Sequence, residues 1–201
     1  MNNHYSKWDQ KLASDDEWWP VGTPVGRMVL SGNDEALHLL LLPGEAKMSA
    51  FLEGDRPKGR PSAVAKAEAQ LQAYFAGQLT RFDVPLDPRG TPWQKAVWGA
   101  LAEIPFAETR SYGEIARQVG NPRAGRAVGM ANNRNPIAVI IPCHRVIGSD
   151  GTLTGYGGGL DLKGRLLAHE REVLARLGSP AGQSAPAPMR PQGRRSDVSL
   201  A

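Results

Sequence analysis

A single cysteine, Cys143, constrains this chain more than any other feature. One thiol cannot form an internal disulfide, and it cannot build a multi-cysteine zinc or iron–sulfur site. The fold must therefore be held by buried apolar surface. The composition allows it: 201 residues, 41% of them hydrophobic and 22% charged. A chain of this length buries on the order of 70% of its unfolded surface. It has room for one large or two small domains. The longest apolar runs, residues 39–42 and 137–141, fall far short of the ~20 residues that span a bilayer. The first stretch, MNNHYSKWDQKLASDDEWW, has no apolar core and does not read as a secretory signal. A cytoplasmic, reducing setting is expected. There a lone cysteine is either a buried small hydrophobe or a reactive thiol.

Charge and punctuation divide the chain. Residues 1–87 carry nine Lys/Arg against twelve Asp/Glu, residues 88–177 twelve against seven, and residues 178–201 three against one. The basic middle suggests a polyanionic partner, or else a chance imbalance on a solvated face. Residues 1–25 show no clear period. Residues 27–30 and 36–42, split by Ser-Gly-Asn-Asp, read as a hairpin. Residues 53–62 read as a loop, after which Ser62 is expected to cap a helix. Its apolar face is Val64, Ala67, Leu71, Tyr74 and Phe75, and Gly77 lies just past its end. Phe82, Val84 and Leu86 alternate as a short strand, and Pro85 puts it at an edge. Together these make a small α+β module over residues 1–87.

Pro88–Gly90 reads as a linker to a helical part, residues 88–177. Thr91, Pro92 and Gln94 form a capping box with proline in the first turn. The helix they open buries Trp93, Val97, Trp98, Leu101 and Ile104, and Pro105 ends it. Ser111 and Glu114 form a second box, opening a short helix that stops at Gly120. Asn121-Pro122 opens a third helix, expected to run to Asn132. Two short helices about a Gly-Asn-Pro turn read as a helix-turn-helix. The third helix is crowded with small residues: Ala124, Gly125, Ala127, Gly129 and Ala131. Its glycines each cost ~1 kcal/mol of helix propensity. Close approach of a polyanionic partner or close helix packing would justify them, and the sequence leaves both open. The apolar run 137–141 leads into Pro142-Cys143-His144-Arg145, a Gly-rich loop, and a last helix over residues 160–177. The tail, residues 178–201, has the composition of a disordered segment.

Cys143 stands beside His144, ahead of that loop. A free thiol with pKa near ~8.5 is only a few per cent thiolate at neutral pH, so a nucleophilic role needs a base. Adjacent side chains rarely face each other. His144 should therefore reach the thiol through a bridging water. A base needs a third group to hold its tautomer, and His169 and Glu170 on the last helix are both candidates.

The segment IPCHRVIGSDGTLTGYGGGLDLKGRLLAHE resembles the active-site signature of the O6-alkylguanine-DNA alkyltransferases, the methylated-DNA–protein-cysteine methyltransferases. GTPWQKAVWGALAEIPFAETRSYGEIA and GNPRAGRAVGMANNRNP resemble the same family's paired DNA-binding helices and hinge. The likeness runs from about Tyr74 to Leu177. It implies an α+β fold: a small N-terminal ribonuclease-H-like α/β module, then a mostly helical, winged-helix-like DNA-binding domain carrying the helix-turn-helix and the active-site cysteine. It implies repair of O6-alkylguanine, and of O4-alkylthymine, by irreversible transfer to Cys143. The flipped nucleotide is reached from the minor groove, each molecule acts once, and no cofactor or metal is needed. The partner is double-stranded DNA containing alkylated bases, bound by a monomer.

The same resemblance implies residue roles. Cys143 is the nucleophile, His144 the water-linked base and Glu170 the carboxylate behind it. Tyr112 donates to the guanine ring. Arg126 is the finger that fills the hole left by the extruded nucleotide, on the same helix as Ala127. Asn135 is the hinge. Val146 offers a backbone carbonyl to the base, and Tyr156 and the Gly157 amide line the pocket. Lys163 is the family's helix lysine, and Arg145 a structural ion-pair partner. Trp93 stands where the family often has Phe, which should alter packing only. Gly157 replaces a Ser of some members. Relatives that bind zinc in the N-terminal module use cysteine there, and this chain has none. Other readings of the same residues are a lesion-binding protein without chemistry, a helix-turn-helix regulator with a structural cysteine, and a hydrolase pairing Cys143 with His169.

Overall fold

The computed structural model describes residues 18–44 and 59–178. The loop read over 53–62 lies mostly outside the described residues, and the tail beyond Gly178 lies outside them altogether. Three antiparallel strands come first, in the order β1 (Trp18–Thr23), β2 (Gly26–Gly32), β3 (Leu37–Leu41). The hairpin read from sequence is β2 and β3, with Leu30 opposite Leu40. β1 was not legible, because Pro20 interrupts any alternating pattern. It is an edge strand, the place where a sheet tolerates proline, and it pairs Trp19 with Leu30. Every residue of β3 is buried, so a continuous apolar run replaces the alternation of a half-exposed strand.

Helix α1 (Ser62–Phe75) packs on this sheet and buries Ala63, Val64, Ala67, Leu71 and Tyr74. Ser62 does not cap it. Pro61 holds the cap position, and Ser62 is the first helical residue. Its exposed N–H is met by Asp34 Oδ1 at 2.8 Å, from the turn between β2 and β3. Residues 82–86 do not form the expected strand. Only Leu86 bridges Leu37, with the Leu37 amide on the Pro85 carbonyl at 2.9 Å.

The second part is helical: α2 (Pro92–Ala102), α3 (Tyr112–Gln118), α4 (Gly125–Asn133) and α5 (Gly159–Leu177). Both capping boxes form, at Thr91–Gln94 and at Ser111–Glu114. Gly120, at φ 78°, turns the chain after α3. α4 begins later than expected. Asn121–Arg123 are spent on a turn, closed by the Ala124 amide on the Asn121 carbonyl. Trp98, fully buried on α2, donates through Nε1 to the Ala131 carbonyl at 2.9 Å and fastens α2 to α4. Trp93 does more than pack, because its Nε1 reaches the Ala127 carbonyl at 3.5 Å. A two-residue parallel pair, β4 (Arg110–Ser111) with β5 (Val146–Ile147), ties the start of α3 to the segment after Cys143.

Buried residues of both parts form one continuous core, from Trp19 and Met28 through Tyr74 to Trp98, Cys143 and Leu166. Gly90 shows how closely it is packed. A Cβ there would lie 2.5 Å from Trp98 Cη2 and 2.8 Å from Gln94 Oε1. Trp98 has no room to retreat, so Gly90→Ala should cost about 1–3 kcal/mol in a urea titration. A change under a few tenths would mean that the ring can shift. Among the described residues, no helix is long and apolar enough to cross a membrane.

Candidate active site

The approach to Cys143 is a series of tight turns braced by one asparagine. Asn135 is buried, accepts from the Ile137 amide through Oδ1 at 3.0 Å, and donates through Nδ2 to the Ile141 carbonyl at 2.7 Å. Between these contacts Val139 sits at φ 70°. A β-branched residue in that region costs ~1–3 kcal/mol and persists only when its surroundings hold it. Val139 is fully buried, and the Ile140 amide closes on the Ala138 carbonyl at 2.9 Å. The Leu40 amide donates to the Pro136 carbonyl at 2.8 Å, which ties the turns to β3. Cys143–Arg145 then form a single 3-10 turn. Successive side chains on such a turn point about 120° apart, so Cys143 and His144 do not share a face.

Behind the turn lies Glu170, fully buried on α5. Its Oε1 receives His144 Nε2 at 2.8 Å, the Tyr74 hydroxyl at 2.9 Å and Arg145 Nη2 at 2.9 Å. Its Oε2 receives Arg145 Nε at 2.9 Å and the Ala107 amide at 3.0 Å. Arg145 Nη1 also donates to the Ile104 carbonyl at 2.6 Å, and its guanidinium lies over the Phe106 ring. Burial alone would raise the Glu170 carboxyl. The charges and hydrogen bonds of His144 and Arg145 outweigh it and hold the group well below the usual carboxylate range. Burial draws the His144 imidazole below its usual value; Glu170 opposes that shift, and Arg145 and Lys163 add to it. With Nε2 on a carboxylate, the neutral ring carries its proton there. Nδ1 is buried and has no hydrogen-bond partner among the described residues.

A second set of contacts organises the loop opposite. Lys163, fully buried, donates through Nζ to the Val146 carbonyl at 2.6 Å and the Thr154 carbonyl at 2.7 Å. Burial draws its ammonium down to about 8, while Cys143 pulls the other way. The Tyr112 hydroxyl donates to the same Thr154 carbonyl at 3.2 Å. Tyr156 places its ring 6.0 Å from Lys163 Nζ, and Gly157 is exposed beside it. On α4, Arg126 and Met130 are exposed and Ala127 is half-buried. Among the described residues, no three His, Cys, Asp or Glu side chains group as a metal site.

Of His169 and Glu170, it is Glu170 that meets the His144 ring. His169 Nε2 lies 2.9 Å from the Tyr74 carbonyl, and its ring packs on Tyr74 and Phe75, outside the hub. Three members of the network were not legible in the sequence. Tyr74 reads as core on the apolar face of α1. Ala107 matters through its backbone, held at φ 61°. Thr154 matters through its carbonyl.

Residues 21–88 match the ribonuclease-like domain of 6-O-methylguanine DNA methyltransferase, and residues 92–172 match its DNA binding domain. A methylated-DNA–protein-cysteine methyltransferase from Methanosarcina acetivorans is 52% identical over 152 residues, 74% of this chain and 94% of the relative. One from Mycolicibacterium paratuberculosis is 52% identical over 158 residues, 77% and 92% of the two chains. The crystal structure of Mycobacterium tuberculosis OGT in complex with DNA superposes with a TM-score of 0.70 at 48% identity, over 82% of this chain and 95% of that one. With matching models across both of its parts and relatives identical at half the aligned positions, the chain belongs to the 6-O-methylguanine DNA methyltransferase family.

Proposed function

We propose that this protein repairs DNA by taking an alkyl group from guanine O6, and from thymine O4, onto Cys143. The observation that carries the proposal is His144: a neutral imidazole with Nε2 locked on an ionised Glu170 and Nδ1 without a partner among the described residues. That is a base aimed away from its orienting carboxylate, one residue from a thiol. Water carries the thiol proton to Nδ1. The thiolate attacks the alkyl carbon in line; the S–C bond forms as the C–O6 bond breaks. The electron pair leaves with the guanine ring, where Tyr112 exchanges the Thr154 carbonyl for the base and stabilises it with its hydroxyl. The Val146 carbonyl keeps a second lone pair for the base beside its Lys163 contact. The Gly157 amide and Tyr156 line the pocket. Asn135 braces the turns under the nucleophile. The product is a thioether, which water does not reverse, so each molecule acts once and needs no cofactor.

A lesion inside a duplex must first be swung out, at a cost of a few kcal/mol. We assign α4 to the minor groove, with Arg126 filling the gap. Helix packing does not require the glycines of α4. A Cβ at Gly125 would meet nothing within 4 Å, and one at Gly129 would make ordinary contact with Tyr112 at 3.8 Å. Close approach of a DNA backbone is the remaining reason for them. We place the protein in the cytoplasm at the nucleoid, acting as a monomer.

The test is intact mass after incubation with an O6-methylguanine duplex. One methyl group on Cys143, and no more, is expected; an unchanged mass refutes the proposal. Arg126→Ala should slow reaction with duplex about tenfold for each ~1.4 kcal/mol of lost compensation. Its reaction with free alkylguanine should stay unchanged. Equal losses on both substrates would remove the finger role.

A further inference from the structure

The hub around Glu170 includes a tyrosine hydroxyl that the reaction above does not use. Tyr74 lies in the last turn of α1, 96 residues before Glu170, and its side chain is fully buried. Its hydroxyl donates to Oε1, the oxygen that also receives His144 Nε2. The ring is held edge-on by Phe75 at 5.0 Å and by Phe106 at 6.1 Å, and it packs on Phe82 at 5.4 Å. We propose that Tyr74 is a positioning residue for alkyl transfer: from the N-terminal part of the chain it fixes the Glu170 oxygen that selects the His144 tautomer. The inference rests on the alkyl-transfer reading.

Four residues donate to the Glu170 carboxylate: Tyr74, Ala107, His144 and Arg145. Arg145 approaches both oxygens, through Nε at 2.9 and 3.2 Å and through Nη2 at 2.9 Å. A guanidinium prefers a carboxylate turned squarely toward its fork. Tyr74 on Oε1 and the Ala107 amide on Oε2 hold the carboxylate from outside that fork. Arg145 already grips the carboxylate side-on, Nη2 on Oε1 and Nε on Oε2, so the two outer donors serve to keep Oε1 within reach of the imidazole while it is so held. Burial, reinforced by the Glu170 charge, pushes the Tyr74 hydroxyl well above the usual tyrosine range, so it remains a donor. Without it His144 is free to carry its proton on Nδ1, and a protonated Nδ1 accepts nothing from the thiol. The charged groups that face His144 are Glu170 on α5, Arg145 beside it, and Lys163. Lys163 in turn feels Cys143. His169 faces only the Tyr74 carbonyl in this set.

Tyr74→Phe keeps the ring and removes the hydroxyl. Two readouts are needed: the methyl-transfer rate from a methylated duplex and from free O6-methylguanine across about pH 5.5 to 9, and the 15N chemical shifts of the His144 ring. The rate near neutral pH should fall about three- to tenfold on both substrates, the range expected for one charge-assisted hydrogen bond. The midpoint of its rise should move down by about half a unit, because an imidazole held less firmly by Glu170 loses the charge that opposes its burial. Duplex affinity should stay unchanged, and the ring shifts should move from a single Nε2–H tautomer toward a mixture. Should the variant prove much less stable, replacing Tyr74 with 3-fluorotyrosine gives a stronger donor, and the midpoint should move up, opposite to the Tyr74→Phe shift. An unmoved pH profile with a pure Nε2–H tautomer, at any rate, overturns the inference. If the wild-type protein itself gains no methyl group, the alkyl-transfer reading fails instead, and with it the claim for the rate. The tautomer readout would then still report whether Tyr74 holds Glu170.

Discussion

Cys143→Ser binds methylated duplex as the parent does and never acquires its methyl group. The substitution changes one atom in a side chain that is 4% exposed, and the brace above it is made by Asn135 and backbone groups, not by the thiol. The fold and α4, with its exposed Arg126, are left as they were. The chemistry is not. A thiol with pKa near ~8.5 already supplies a few per cent of thiolate at neutral pH, and a modest base suffices to raise that share. A serine hydroxyl supplies none, and an imidazole drawn below its usual basicity by burial cannot make an alkoxide. Transfer should fall below detection in intact-mass measurements, with gel-shift affinity within about twofold of the parent. Methyl accumulation on the serine variant would move the nucleophile elsewhere. More than one turnover by the wild-type protein would show that the thioether is not the end product.

The parts of this molecule that could be read from sequence are those specified locally. Thr91–Gln94 and Ser111–Glu114 announce their helices because both halves of each cap lie within four residues. The start of α1 could not be read in the same way, since its capping carboxylate, Asp34, comes from a turn 28 residues earlier. β1 is hidden by Pro20, which is acceptable only because the strand is at an edge, a tertiary fact. Glu170 carried a signal of its own. It falls on the stripe of α5 that buries Leu162, Leu166 and Val173. A carboxylate there must be paired, because an unpaired buried charge is too costly. Lys163 sits on the same buried side, for the same reason. Tyr74 gave no such sign: a tyrosine on an apolar stripe looks like core, and only the fold shows what its hydroxyl meets. Cys143, His144, Tyr112 and Asn135 stood out through the family resemblance, whereas their mutual geometry depends on turns that no local pattern encodes.

Removal of the Glu170 charge should produce the largest loss of stability. Glu170→Gln preserves volume but leaves the Arg145 guanidinium buried without a countercharge, with the Ile104 carbonyl at 2.6 Å and a single neutral amide oxygen as its acceptors. It also turns an amide N–H₂ toward groups that are themselves donors. Breaking one side of a buried ion pair costs about 3–5 kcal/mol, so the variant's urea midpoint at neutral pH should drop sharply with an unchanged slope. Alkyl transfer should fall with it, since nothing then fixes the His144 proton on Nε2. Acid distinguishes this explanation from simple misfit. The folded Glu170 carboxyl lies below its unfolded value of about 4.3. Its contribution is complete above that value and is lost as the pH falls through it toward the folded one. The folded imidazole of His144 also lies below its unfolded value of about 6.5. The unfolded chain therefore takes up that proton first, and wild-type stability begins to decline below about pH 6.5. The difference between wild type and Glu170→Gln should be widest near neutrality and should narrow below about pH 4, as the parent loses its carboxylate advantage. A gap under about 1 kcal/mol at neutral pH, or one that stays constant down to about pH 3, would mean that the charge of Glu170 is not what holds Arg145 and His144 in place.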